Sequence, residues 1–224
     1  MSGGTVGGRS RGGKVRVKTA KRRSVSSNRW LERQLNDPYV AAAKAAGYRS
    51  RAAFKLKELD EQFNLLSQVE RVLDLGAAPG GWCQIVKARR PKAMVVGIDL
   101  LPIEPMAGVV FFEKDILDDD AEEVLRAALG GPADLVMSDM AANTVGHKAT
   151  DHLRTMGLIE AGLDMAGRML RPGGTFVAKV LAGGGDGTLT AALKGRFETV
   201  KHVKPPASRK GSSEWYVVAQ GFKG

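Results

Sequence analysis

The chain has 224 residues, 43% of them apolar, with three histidines, one cysteine and a formal net charge of +10. That length holds one large α/β domain with something small attached, and the apolar share suffices for a real core. The single cysteine, Cys83, excludes an intramolecular disulfide, no run is long enough to span a membrane, and the start lacks the apolar stretch of a signal peptide, so a reducing, cytoplasmic setting is expected.

Residues 1–29 carry nine Lys/Arg, no acid and almost no large apolar side chain. Such a segment cannot bury a core and reads as a mostly disordered arm. Its expected partner is a polyanion, because Lys and Arg neutralise phosphates without reading sequence; a solubilising tail is the plain alternative. From Trp30 onward 25 basic residues face 24 acidic ones, so the body, 30–224, is near neutral.

Asn36-Asp-Pro38 supplies a turn, and Tyr39–Ala46 reads as a short helix stopped by Gly47. Ser50 is placed to cap a longer helix with Ala52, Leu56, Leu59, Phe63 and Leu66 on one face. Arg49, Arg51, Lys55 and Lys57 crowd its start, where the helix dipole disfavours cations. Their placement suggests a task other than helix stability, a solvated helix end being the alternative. Strands are expected at Arg71–Leu75, Met94–Leu100, Val109–Asp115, Ala133–Met140 and Thr175–Leu181. Helices are expected at Gly81–Arg90, Ala121–Leu129 and Asp151–Leu170, the last ended by Arg171-Pro-Gly-Gly174. Phe197–Lys204 and Glu214–Phe222 follow as strands with only a polar loop between them, which makes that pair antiparallel. The fold class is therefore α/β, a mostly parallel doubly wound sheet of seven strands with a C-terminal antiparallel pair.

In such a sheet, ligands sit beyond the carboxyl ends of the strands. Asp74, Asp99, Asp115, Asp139 and Lys179 fall at or near five successive strand ends. The first end opens into Asp74-Leu-Gly-Ala-Ala-Pro-Gly-Gly-Trp82, a Gly-rich turn feeding a helix, whose small residues let the backbone approach a nucleotide-like ligand. A ligand-free tight connection is the competing reading. Asp99 stands where a carboxylate accepts ribose hydroxyls, and Asp115 could accept from an adenine amine; for each, a cap or surface carboxylate is the alternative. Ala78 and Pro79 disrupt the nicotinamide fingerprint and its approach to a pyrophosphate. A phosphate-free adenosine cofactor is favoured, and S-adenosyl-L-methionine is the common one.

Asp74–Trp82, together with Ser50-Arg-Ala-Ala-Phe-Lys55, Val136-Met-Ser-Asp-Met140 and Phe176-Val-Ala-Lys-Val180, resembles the FtsJ/RrmJ ribose 2′-O-methyltransferases. Arg29-Trp-Leu31 and Asp99-Leu-Leu-Pro102 are similar to the bacterial branch acting on 23S large-subunit ribosomal RNA. The similarity runs unbroken from about Ser26 to Lys223. The resemblance implies a Rossmann-like S-adenosylmethionine-dependent fold and 2′-O-methylation of a uridine ribose in support of ribosome assembly. It also implies catalytic residues Lys179, Lys55, Asp139 and Glu214, and cofactor contacts at Gly80, Trp82, Asp99, Asp115 and Asp139. The expected partner is ribosomal RNA within the large subunit, met by a monomer that needs no metal or membrane. Lysine, with a pKa of about 10.4, is a poor base at neutral pH, so Lys55 is expected to help Lys179 lose its proton while Asp139 orients the amine and Glu214 positions Lys55 or the ribose. The alternatives are a transfer or messenger RNA 2′-O-methyltransferase, which would share the catalytic set that the resemblance implies, and a non-catalytic RNA-binding protein. Three positions depart from the family pattern: Ala142 replaces a proline, Ala53 a tryptophan and Ser213 an arginine.

Overall fold

The computed structural model describes residues 32, 35–142, 148–181 and 187–224. The expected arm over 1–29, the Arg29-Trp-Leu31 motif and Asn143 lie outside them. In chain order the elements are α1 (Pro38–Ala45), α2 (Ala52–Phe63), β1 (Arg71–Leu75), α3 (Gly81–Arg89), β2 (Met94–Asp99), β3 (Val109–Glu113), α4 (Ala121–Leu129), β4 (Ala133–Ser138), α5 (Lys148–Met169), β5 (Leu170–Leu181), α6 (Gly187–Arg196), β6 (Phe197–Val203) and β7 (Glu214–Phe222). They build a seven-stranded sheet ordered β3-β2-β1-β4-β5-β7-β6. The ladders from β3 through β5 are parallel, whereas β7 runs antiparallel to both of its neighbours.

Alternation along each strand feeds two apolar layers. Leu73, Val96, Val136 and Phe176 face α4, α5 and α6. Val72, Val95, Leu135 and Val177 face α2 and α3. Both faces are covered, which is why the central strands read as nearly continuous apolar runs. The strand order reverses between β1 and β4, and this switch point opens the cleft in which such sheets take ligands.

Several boundaries differ from the sequence reading, each for a local reason. Leu170 already pairs with Ala133, and the ladder resumes at Thr175 opposite Leu135, so Arg171-Pro-Gly-Gly174 is a bulge within β5 and not a break before it. Helix α5 begins at Lys148, ahead of the expected Asp151. Helix α6 had no announcement in the pattern: its glycines and threonines are weak helix formers, and only Leu189 and Leu193, one turn apart, are buried. Helix α2 ends at Phe63 on Asn64, which adopts the left-handed conformation, so Leu66 lies past its end. Ser50 does not cap α2. Arg51 occupies the cap position with no side-chain hydrogen bond, so a stabilisation of about 1 kcal/mol that a serine cap provides is forgone. By contrast Asp37 does cap α1, its Oδ1 accepting from Tyr39 N at 3.0 Å.

Candidate active site

Four elements bring the expected catalytic residues together. Lys179 on β5 pairs with Tyr216 on β7, and Glu214 stands two residues before Tyr216, hence on the same face. Asp139 follows the last residue of β4, and Lys55 projects from α2, which covers that face. Gly76 makes this approach possible. A β-carbon there would lie 2.5 Å from Met140 Cγ, and its φ of +76° suits glycine.

The resulting cluster alternates in charge. Lys55 Nζ lies 2.7 Å from Glu214 Oε1 and 3.6 Å from Asp139 Oδ2. Lys179 Nζ lies 3.2 Å from Asp139 Oδ1 and also donates to the Asp139 main-chain carbonyl. Lys55 is only 5% exposed, and a charge so buried persists because two carboxylates face it. Asp139 thus sits between two cations. Burial alone would raise its pKa, but Lys179, Lys55 and a hydrogen bond from Tyr216 outweigh burial and hold it below the usual carboxylate range. Asp139 thus bridges the two lysines, one at each carboxylate oxygen.

Tyr216 is the residue that sequence reasoning missed. It is fully buried, its hydroxyl accepts from Lys55 Nζ at 2.9 Å and donates to Asp139 Oδ1 at 2.6 Å. Glu214 Oε1 lies at 3.4 Å from the same hydroxyl, but one phenolic proton serves one acceptor and the shorter contact takes it. Burial, then Asp139 and Glu214, push its pKa well above the ordinary value, so it remains a donor. A tyrosine in an apolar strand reads as core. The available signal was its spacing of two from Glu214.

The loop between β6 and β7 is fastened to the same cluster. Ser208 Oγ donates to Glu214 Oε1 at 3.0 Å, and Ala207 N to Glu58 Oε2 at 2.7 Å. Arg51 Nη2 donates to the Ala207 carbonyl, and Arg209 Nε to Asp37 Oδ2 at 3.0 Å. Arg51 Nε lies 2.9 Å from the same Asp37 oxygen as an ion pair without hydrogen-bond alignment. Arg49 in turn donates to the carbonyls of Pro79, Glu104 and Pro105, tying the Gly-rich loop to the loop after β2. Of the four cations at the start of α2, Arg49, Arg51 and Lys55 are thus engaged internally, which gives them a task other than helix stability and sets aside the reading of a solvated helix end for these three.

Of the expected cofactor residues, Asp99, Asp115 and Asp139 line the switch-point cleft, whereas Gly80 and Trp82 do not. A cavity of about 290 Å³ is bounded by Gly76, Ala78, Asp99, Asp115, Asp139 and Met140. Asp99 accepts from Ala78 N and Leu101 N, both at 2.9 Å, which fixes its carboxylate at the rim with lone pairs to spare. Asp115 lies two residues past β3 and is held by Leu117 N at 3.0 Å. Gly80 forms the cap of α3. Trp82 has its indole buried against Tyr216, with Nε1 donating to the Ala52 carbonyl at 2.8 Å. A larger cavity of about 780 Å³, between α1 and the β6–β7 loop, holds none of these carboxylates. The chemistry belongs to the smaller one. A narrower crevice beneath it is bounded by Ser50, Asp74, Gly81, Trp82 and Asp139. There Asp74 is 1% exposed, and burial, opposed by a Cys83 hydrogen bond and helped by Asp139 and Asp99, raises its pKa to about 7. Cys83 Sγ donates to Asp74 Oδ2 at 3.1 Å.

The cleft fits an adenosine-based methyl donor on its own terms: a ribose-type carboxylate, a second carboxylate one strand over, glycines at a helix start and no phosphate cradle. Comparison with known proteins points the same way. Residues 48–222 match the model of a family described as FtsJ-like methyltransferase. The ribosomal RNA large subunit methyltransferase E of Novosphingobium aromaticivorans is 68% identical over 209 residues, covering 93% of this chain and 94% of that protein. The protein of the same name from Sphingopyxis alaskensis is 66% identical over 223 residues, covering 100% and 96%. A crystal structure of a ribosomal RNA methyltransferase from Plasmodium falciparum superposes with a TM-score of 0.72 at 32% identity, over 79% of this chain and all of that one.

Proposed function

This chain belongs to the FtsJ-like methyltransferase family, and from its site we infer that it transfers a methyl group from S-adenosylmethionine to the 2′-oxygen of a uridine ribose in 23S ribosomal RNA. The observation that carries the reading is the alternating cluster Glu214, Lys55, Asp139 and Lys179 beside a cleft built for adenosine. A ribose hydroxyl is a weak nucleophile until its proton leaves, and Lys179, with its amine fixed by Asp139, is the group positioned to take that proton. The cofactor's sulfonium methyl supplies the electrophile. As the oxygen–carbon bond formed and the sulfur–methyl bond broke, with S-adenosylhomocysteine as the leaving group, the hydroxyl proton would pass to Lys179 in its free-amine form, and the ammonium so produced would be met by Asp139 Oδ1. Lys55, held by Glu214 and Tyr216, keeps the other side of Asp139 compensated, so that this carboxylate stays ionised and fixed. The remaining work is in-line positioning.

Asp99 is suited to the ribose of the cofactor and Asp115 to its adenine. The basic arm and the exposed Lys201 and Lys210 are suited to RNA phosphates, and the reaction would take place in the cytoplasm, where the subunits are built. Among the described residues, no helix is long and apolar enough to cross a membrane. The direct test incubates the protein with labelled cofactor and large ribosomal subunits from a strain lacking this methylation. Label on a ribose of 23S RNA is expected, whereas label on a base, or preferential labelling of transfer RNA, overturns the assignment.

The fastening of the β6–β7 loop yields a further expectation. Asp37→Asn keeps the cap of α1 but loses both ion pairs, so the loop that carries Ser208 against Glu214 is held only by Glu58 and Arg51. Turnover should fall about tenfold as Lys55 and Asp139 shift by a fraction of an ångström, with cofactor affinity unchanged by calorimetry. Unaltered turnover would mean the loop is fixed without Asp37.

A further inference from the structure

Arg49 serves three main-chain carbonyls on two loops from one guanidinium. Its Nη1 donates to Pro79 at 3.2 Å and to Glu104 at 2.6 Å, and its Nη2 to Pro105 at 2.7 Å. The second of these loops, 100–108, holds no helix or strand, and Pro102 and Pro105 each remove a main-chain donor from it. Among the described residues, the bonds from Arg49 are the only hydrogen bonds that 102–105 make. Both loops wall the 290 Å³ cleft: Gly76 and Ala78 stand just before Pro79, and Leu100 and Leu101 begin the other loop. On the inside the two walls meet where Asp99 accepts from Ala78 N. Arg49 joins them from the outside and lines neither the cleft nor the crevice beneath it.

The residue is held there against local electrostatics. Its guanidinium packs on Gly80, the cap of α3, where a β-carbon would lie 3.0 Å from Nη1. A cation at the positive end of a helix is disfavoured, and its partners are carbonyls, not a carboxylate. Gln84 of α3 fixes the segment, its Oε1 accepting from Arg49 N at 2.9 Å and its Nε2 donating to the Gly47 carbonyl at 2.8 Å. A planar fork serves several acceptors at once, which a lysine ammonium on a flexible stem does not match. We propose that Arg49 is a positioning residue for methyl transfer: by stapling the Gly-rich loop to the loop after β2, it sets how long the cofactor and its demethylated product stay in the cleft. The inference rests on the S-adenosylmethionine reading above, and Arg49 itself touches no ligand.

Two variants of the full chain and two ligands decide it. Arg49→Met keeps the stem on Gly80 and removes every donor, whereas Arg49→Lys keeps the charge and loses the fork. Stopped-flow displacement should show S-adenosylhomocysteine leaving both variants about tenfold faster, the size of effect that a side chain remote from a ligand exerts. 5′-Methylthioadenosine, which lacks the amino-acid end, should weaken by the same factor, because the stapled walls face the adenosine. KM for the cofactor should rise about tenfold while kcat changes less than about twofold, the mark of lost binding and not of lost chemistry. The amides of Ile103, Glu104 and Met106 should exchange faster in the ligand-free variants. Wild-type behaviour of the lysine form would mean that charge suffices and overturn the role of the fork. A lowered melting temperature without ligand, with affinity and KM unchanged, would show a staple of the fold alone. Weakening confined to S-adenosylhomocysteine would move the effect to the amino-acid end and away from the stapled walls. If the wild-type chain binds neither ligand, it is the cofactor reading that fails, and the role of Arg49 with it.

Discussion

Replacing Lys179 with alanine should lower methyl transfer by on the order of 10³-fold, the range for losing a positioned proton acceptor, while the cofactor still binds. The expectation follows from where the amine sits. Lys179 ends the charge chain, with Asp139 on one side, and it lies on β5 within the β5–β7 ladder, so truncating its side chain leaves the strand pairing intact and removes only its contacts to the Asp139 carboxylate and carbonyl. Its partner Asp139 keeps compensation from Lys55 and from the Tyr216 hydroxyl, so the variant does not strand a buried carboxylate. Lys179→Arg is the sharper companion. It retains a cation near Asp139 but cannot give up its proton, so it separates a proton acceptor from a simple electrostatic brace. Single-turnover rates with the wild type, alanine and arginine forms, alongside S-adenosylhomocysteine affinity, decide between them. Near-normal rates in the arginine form would leave Lys179 as a brace and shift the proton to solvent.

How much of this was legible beforehand depends on the range over which each signal acts. Fully buried parallel strands such as Val72–Leu75 and Leu135–Met137 announce themselves because both of their faces are apolar. The acidic residues at the strand ends were equally readable, since topology sends them to one place. Local patterns misled where a residue's partner is distant. Ser50 has the right type and position for a cap, and only the packing of α3 against it turns the hydroxyl away. Arg49 and Arg51 looked like an external basic patch, yet their acceptors are carbonyls 30 to 156 residues away. Arg171-Pro-Gly-Gly174 looked like a stop, and became a bulge because β4 offers Ala133 to pair with Leu170. Of the departures from the family pattern, Ala53 is wholly buried in the layer under α2, and Ser213 is exposed beside Glu214. The first alters packing beneath Lys55; the second removes a cation from the surface an RNA would cross.

The buried carboxyl of Asp74 gives the second large expectation, a pH dependence of stability. In the folded protein burial lifts it to about 7, against an ordinary carboxylate value of 3.8. A raised folded pKa means the native state holds a proton that the unfolded chain has already released. The associated stability is fully present below the unfolded pKa and is lost as pH rises through the folded one. Between about pH 4.5 and 7.5 this single group should cost roughly 3 kcal/mol. Asp74→Asn is neutral throughout that range and can still accept from Cys83, whose own pKa burial and Asp74 push up, so the thiol stays a donor. Urea unfolding of both proteins across the range should therefore show the variant gaining on the wild type as pH rises; parallel curves would mean that Asp74 is ionised in the native state and hydrated from the crevice. The same carboxyl explains why such an unfavourable burial persists. A ligand ammonium placed between Asp74 and Asp139 would return the charge to its ordinary state, so S-adenosylhomocysteine should flatten the wild-type pH dependence and stabilise the asparagine form less. On this account an ammonium-bearing ligand would stabilise the Asp74 carboxylate more than the fold does.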